Sequence, residues 1–161
     1  MKKLFLVLLV AAYNSFAQEL PTNADGKITF EEVIEVPNKN ALDLYKKSLE
    51  WFAIKYNSAN DVIQLKDEDL KKIIGKGTQS IPYYMRSPKI SHLITVEAKE
   101  NKVRITLTDL AYEDSSDSFQ LENFPKGWFG KKKLFNTVKD KTLFIIADYK
   151  KYMLNDANSK W

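Results

Sequence analysis

The chain has 161 residues, of which 44% are hydrophobic and 29% are charged, and these proportions are typical of a folded globular domain. It contains no cysteine and one histidine, which excludes disulfides and cysteine nucleophiles and leaves few ligands for a zinc or transition-metal site. The net charge of +4 gives no reason to invoke nucleic acid, and no specific nucleic-acid partner is expected.

The N-terminus has the features of a secretory signal peptide. Lys2 and Lys3 precede an uncharged, mostly apolar run over residues 4–12, and Ser15-Phe16-Ala17 places small residues where a signal peptidase inspects the chain. The run is too short for a membrane-spanning helix, which needs about 20 apolar residues. We expect cleavage after Ala17 and export to the periplasm or the extracellular medium, with no transmembrane segment left and, for want of a cysteine, no lipid anchor. Residues 18–161 then form one domain.

The first predicted elements of this domain are a strand and a helix. Apolar residues alternate over residues 27–36 up to Pro37, a pattern typical of a half-buried strand. Asn40 is a predicted helix N-cap, and apolar residues at three- and four-residue steps predict a helix over residues 41–56, with Asn57 as its C-terminal cap.

Four more strands and a long helix are predicted after this helix. Because the strands are closely spaced along the chain, neighbours must be antiparallel. A polar linker is expected over residues 113–118, before an amphipathic helix over about 132–154. The predicted fold class is α+β, with a curved antiparallel sheet of about five strands, in the order strand, helix, four strands, helix, and two helices on one face. The four strands are expected at residues 61–65, 72–81, 89–99 and 102–112.

Five segments of the chain carry a likeness to a known family: residues 25–37, 49–52, 61–64, 73–77 and 103–109. Together they resemble exported bacterial proteins described as a domain of unknown function with a TATA-box-binding-protein-like (TBP-like) fold. The likeness covers roughly residues 20–112, and the final helix is compatible with it. It implies a helix-on-curved-sheet unit but no activity, cofactor or site residue, because the family has none assigned. The name of the fold does not argue for DNA binding, because fold does not carry function.

One pair of residues is a candidate catalytic pair. If the two longest strands turn at Glu100-Asn101, the register that keeps their apolar residues on one face places His92 opposite Asp109. A histidine oriented by a carboxylate is the base half of many catalytic sites. It is equally an ordinary cross-strand pair. Since no nucleophile is identifiable nearby, we assign neither residue a catalytic role.

A basic and aromatic loop before the final helix is the candidate partner-binding surface. Lysines at a helix N-terminus oppose the helix dipole, so helix stability does not explain them. Lysines next to aromatic residues suit an anionic partner: a glycan, a lipid headgroup, or single-stranded nucleic acid through stacking. An envelope protein is a further possible partner. In the alternative interpretation Trp128 and Phe129 pack back onto the core and the lysines only keep the loop soluble. The residues concerned are Lys126, Trp128, Phe129, Lys131, Lys132 and Lys133.

Two further motifs carry no site. Residues 23–32 resemble the second half of a calcium-binding loop, but Pro21 would occupy the first ligand position, so we predict a turn and no metal. Gly75 and Gly77 lie inside a strand pattern and indicate a bulge or bend rather than a phosphate-binding loop. No cofactor is expected.

The leading functional hypothesis is a non-enzymatic binding or interaction module of the cell envelope that uses the basic loop. One alternative is a small hydrolase or lyase centred on His92 and Asp109. The other is a structural accessory domain that pairs through a sheet edge or the final helix, for which a large exposed apolar patch would be the sign.

Overall fold

Six strands and three helices follow one another in the part of the chain that the structure describes. The structure is a computed structural model, and it describes residues 20–56, 59–82, 87–115 and 117–155. The expected signal peptide therefore lies outside the described residues. The strands are β1 (Phe30–Glu35), β2 (Ile63–Asp67), β3 (Lys72–Ser80), β4 (Lys89–Lys99), β5 (Lys102–Glu113) and β6 (Ser118–Gln120). The helices are α1 (Ala41–Lys55), the single turn α2 (Ala59–Val62) and α3 (Lys131–Leu154), with a 3-10 turn at Leu121–Asn123.

All six described strands join one antiparallel sheet. Its order is β1-β5-β4-β3-β2, and β6 pairs with the end of β5 beyond β1. Helix α1 packs on β4, β3 and β5, and α3 packs beside it against β1. The predicted α+β class, with a curved antiparallel sheet and two helices on one face, is confirmed. The sequence pattern does not predict β6, because Phe119 is the only apolar residue in it.

The β4–β5 hairpin forms the middle of the sheet. Ile94, Val96, Ile105 and Leu107 are fully buried, and they pair as predicted, Ile94 with Leu107 and Val96 with Ile105. The hairpin turns at Glu100-Asn101, as predicted, and Asn101 has a φ of 62°, in the left-handed region that asparagine tolerates. Alternating apolar residues therefore fix which face of the sheet the helices cover.

Side chains from α1 and α3 join the two helices. The hydroxyls of Ser48 and Tyr149 are 2.7 Å apart and hydrogen-bonded, with both side chains buried. The indole Nε1 of Trp51 donates to Asp148 Oδ2 over 2.9 Å. These bonds satisfy polar groups inside the helix pair and fix how the helices lie against each other.

The ends of the two long helices lie within one residue of the prediction. Asn40 caps α1 as predicted, because its side-chain oxygen accepts a hydrogen bond from the Asp43 amide over 2.8 Å. Helix α1 ends at Lys55, and α3 begins at Lys131. Asn57, the expected C-terminal cap of α1, lies outside the described residues.

The first strands differ more from their predicted bounds. β1 begins at Phe30 instead of residue 27, because the chain is still leaving a turn at Asn23. The side-chain oxygen of Asn23 accepts hydrogen bonds from the amides of Asp25 and Lys27, each over 3.0 Å, which confirms the predicted turn. β2 begins two residues later than predicted, at Ile63, because α2 takes up the preceding residues.

Candidate functional site

The predicted opposition of His92 and Asp109 is wrong. The expected β4–β5 register holds from the turn as far as Leu93, which pairs with Thr108, but Ser91 pairs with Ala111. The register shift is a β-bulge at Asp109, which has a φ of 51°. The bulge turns Asp109 toward solvent, where its carboxylate lies 3.5 Å from the Lys27 ammonium. Among the residues that the structure describes, no carboxylate therefore orients His92 in the way that the hydrolase or lyase hypothesis requires.

His92 itself is a buried histidine. It is 2% exposed, and neither ring nitrogen forms a hydrogen bond of good geometry among the described residues, although the backbone of Ile90 lies close enough to the ring to favour its charged form. Burial lowers the pKa of His92 to about 4, so the imidazole is neutral at physiological pH. Its ring lies over Gly77 of β3, the residue with which it pairs in the sheet. His92 therefore packs in the core between α1 and the sheet.

The basic loop, residues 126–133, leads from the sheet into the first turn of α3, which begins at Lys131, and is anchored by Trp128. Gly127 and Gly130 both have a φ of 80°, and these conformations let the loop reverse before the helix. The indole of Trp128 is half-buried and packs edge-on against the rings of Phe124 and Phe119, with centroids 5.3 and 6.1 Å away. The expected folding-back of loop aromatics onto the core therefore occurs at Trp128.

Phe129 and most of the lysines face solvent instead. Phe129 is 81% exposed, the most exposed large apolar side chain among the described residues. Lys126, Lys132 and Lys133 are exposed as well. Lys131 differs, because its ammonium lies 4.9 Å from the ring centroid of Phe135 and 5.8 Å from that of Phe124, in cation–π contacts that hold it to the aromatic cluster.

The charge of the molecule is concentrated on α3. This helix contains seven lysines and two aspartates, a net charge of +5, whereas the whole chain carries +4, so all other residues together carry −1. Its first turn has no acidic residue, and its N-cap, Gly130, has no side chain to cap the helix, although the Lys131 amide donates to the Trp128 carbonyl over 3.2 Å. The positive end of the helix dipole and three consecutive lysines thus lie together, an arrangement that favours a negatively charged partner.

Other kinds of site find no support in the described part of the chain. No group of three or more His, Asp or Glu residues there could hold a metal ion. None of its helices is both long enough and apolar enough to cross a membrane.

The sequence of the strands and of α1 identifies the family, and the fold agrees with it. A model of the family described as a domain of unknown function (DUF4468) with TBP-like fold matches residues 30–113, slightly more than half of the chain. The chain belongs to this family. The resemblance to this family and the TBP-like fold predicted from the sequence are therefore confirmed, whereas export stays a prediction. The matched segment ends with β5 and leaves out both the basic loop and α3.

Two solved structures are similar to this DUF4468 chain. A TBP-like protein from Parabacteroides distasonis superposes with a TM-score of 0.74 at 14% identity, covering 84% of this chain and 97% of its own. A DUF4468 family protein from Bacteroides ovatus superposes with a TM-score of 0.71 at 16% identity, covering 86% of this chain and 92% of its own. At these identities the similarity shows the fold alone. No curated protein is similar enough to the chain to count as a match.

Proposed function

We propose that this protein is a non-enzymatic binding module of the cell envelope that holds an anionic partner through its basic loop. The observation that carries the proposal is the exposure of Phe129, at 81%, among exposed lysines on a loop whose position Trp128 fixes. A large aromatic side chain that is mostly exposed, next to positive charge that helix stability does not require, suits a surface that binds an anionic partner.

The surroundings of the loop define the chemistry of the partner. Lys132 and Lys133 occupy the first turn of a helix whose net charge is +5, so the partner is negatively charged. Phe129 adds an apolar contact beside these charges. An anionic glycan, a lipid headgroup or an acidic envelope protein would each supply negative charge. The placement in the envelope is part of the proposal and rests on the signal-peptide pattern of residues 1–17.

Binding to defined anionic surfaces tests the proposal. The protein beginning at Gln18 would be incubated with alginate, with phosphatidylglycerol vesicles and with their uncharged counterparts dextran and phosphatidylcholine, at low and moderate salt. We expect salt-sensitive binding to at least one anionic probe. The double variant Lys132→Gln/Lys133→Gln should bind about tenfold more weakly or worse, because each lysine near an anionic surface contributes about 1 kcal/mol.

The matched control removes the same charge far from the loop. Lys46 in α1 and Lys76 in β3 are exposed, and the variant Lys46→Gln/Lys76→Gln has the same net charge as the loop variant. It should retain most of the binding. Equal losses in the two variants would mean that only overall charge matters, and absence of binding to every anionic probe would overturn the proposal.

A further inference from the structure

A second exposed surface lies along α3, on the side that faces away from the sheet. Leu143, Phe144, Ala147, Lys151 and Leu154 are all exposed and recur at the spacing of one helix face. Phe144 is 65% exposed and Leu143 is 45% exposed. The opposite side of the helix is buried in the core, so α3 has apolar side chains on both of its faces. The five exposed residues are called the outward face of α3.

Helix α1 extends this surface at its C-terminal end. Ile54 is 72% exposed and lines an open groove of about 490 Å³ between the two helices. Lys55, Lys151 and Asp148 line the groove as well, and the Asp148 carboxylate lies 3.1 Å from the Lys55 ammonium. The Lys55 ammonium lies 5.4 Å from the ring centroid of Phe144 and so joins α1 to the outward face. Three large apolar side chains, those of Ile54, Leu143 and Phe144, thus face solvent beside lysines.

The presence of apolar and basic groups on one surface favours a lipid headgroup over a glycan or a free phosphate. A free phosphate is bound by lysines alone, and an anionic glycan by lysines and aromatic rings, so neither gives a reason to expose leucine and isoleucine. A bilayer surface with anionic headgroups uses both, because phosphates attract the lysines and the apolar side chains enter the boundary between headgroups and acyl chains. The concentration of positive charge on α3 matches such a surface.

We infer that the anionic partner is a lipid bilayer surface, and that α3 lies along it with its outward face and Ile54 in contact with lipid. This inference rests on the proposed function, since the basic loop continues directly into α3 and would bring Phe129 to the same surface. The protein would then be a peripheral module bound along the length of one helix.

A site-specific fluorescent label tests the orientation directly. Because the chain has no cysteine, Ala147→Cys places a single labelling position in the middle of the outward face. Thr78→Cys is the matched control, on the face of the sheet that the helices leave uncovered. With an environment-sensitive dye, we expect a blue shift at position 147 upon addition of phosphatidylglycerol vesicles, none with phosphatidylcholine vesicles, and none at position 78 with either.

Substitutions of the outward face provide the second measurement. Leu143→Ser/Phe144→Ser should weaken vesicle binding by about a hundredfold, since each apolar side chain buried in lipid contributes about a factor of ten. Leu70→Ser, at a residue 69% exposed in the β2–β3 turn, is the control and should leave binding unchanged.

The outcomes separate this inference from the proposed function. Vesicle binding that depends on Lys132 and Lys133 but produces no shift at position 147 would overturn the contact along α3 and leave the basic loop as the binding surface. Binding to alginate but not to vesicles would overturn the bilayer as the partner and leave the proposed function intact. No binding to any anionic probe would overturn both.

Discussion

The imidazole of His92 in β4 lies directly against the backbone of Gly77 in β3. A Cβ atom at position 77 would lie 2.5 Å from His92 Nε2 and 3.2 Å from the Tyr56 hydroxyl of α1. Gly75 is covered in the same way by a side chain of α1, since a Cβ atom at position 75 would lie 2.7 Å from the ring of Phe52. The two glycines thus let aromatic side chains reach the sheet at the C-terminal end of α1. The bulge predicted at these glycines is not there, since β3 pairs with β4 without a register shift, and the nearest bulge lies in the neighbouring β2, between Ile63 and Leu65.

Gly77→Ala should therefore destabilise the protein. The added methyl group has no room unless His92 and Tyr56 move, and such overpacking costs about 1–3 kcal/mol. Urea unfolding of the variant measures the loss in the free energy of unfolding. In the double variant Gly77→Ala/His92→Ala the cost of Gly77→Ala should be much smaller, because the ring that blocks the methyl group is gone. An equal cost in both backgrounds would show that His92 does not cause the restriction.

Stability should fall in mild acid because of His92. Its native pKa is about 4, compared with an ordinary value of 6.5, so the unfolded chain takes up a proton in a pH window where the native protein does not. The free energy of unfolding should thus decrease by at most about 3 kcal/mol as the pH falls from about 6.5 to 4. Above about pH 6.5 the imidazole is neutral in both states, so this loss of stability is absent.

The variant His92→Leu checks this assignment. It should lack most of the decrease between about pH 6.5 and 4, measured by urea unfolding across that range. The comparison is clean because His92 is the only histidine in the chain. A variant with the same pH dependence as the wild type would mean that other groups cause it.

Asp148 should be important for holding α1 and α3 together. Its carboxylate accepts the hydrogen bond of the Trp51 indole and lies 3.1 Å from the Lys55 ammonium. Asp148→Ala would leave the N–H of Trp51, a residue 2% exposed, without its acceptor, at a cost of about 1–3 kcal/mol in the free energy of unfolding. Asp140→Ala, at an exposed position of the same helix, should cost far less. Similar costs would contradict this role of Asp148.

Trp128 and Phe129, although adjacent, should respond differently to substitution. Trp128→Ala removes a ring from the aromatic cluster and should lower the free energy of unfolding by about 1–3 kcal/mol, whereas Phe129→Ser should leave it nearly unchanged. Trp128→Phe keeps an aromatic ring in the cluster and should retain binding to the anionic probe. Stability and binding measured on the same three variants separate the anchor from the contact residue. A large loss of stability in Phe129→Ser would contradict the assignment of Phe129 as a contact residue and of Trp128 as the anchor.

The sequence predicted the strands and helices where apolar periodicity is strong. The residues of the β4–β5 hairpin alternate without interruption up to Leu107, and their pairing is as predicted. The register beyond Thr108 could not be predicted, because the bulge depends on Asp109 adopting a positive φ. Aspartate tolerates this conformation more readily than most residues but rarely adopts it, and nothing in the local pattern marks this occurrence.

The candidate site was predictable in composition but not in geometry. The basic and aromatic residues of the loop are evident in the sequence, whereas the packing of Trp128 and the exposure of Phe129 depend on contacts with Phe119 and Phe124 from earlier in the chain. The outward face of α3 was missed because periodicity emphasises the continuous apolar side of a helix. Leu143 and Phe144, exposed next to that side, are the signal that could have shown it.

The most direct test of the binding function is the affinity of the wild type and of Phe129→Ser for the anionic probe that binds best. Phe129 is the most exposed large apolar side chain among the described residues, so its replacement changes the surface without disturbing the core. We predict at least about tenfold weaker binding of Phe129→Ser with an unchanged free energy of unfolding. Undiminished binding by this variant and by Lys132→Gln/Lys133→Gln would contradict the assignment of the basic loop as the binding surface.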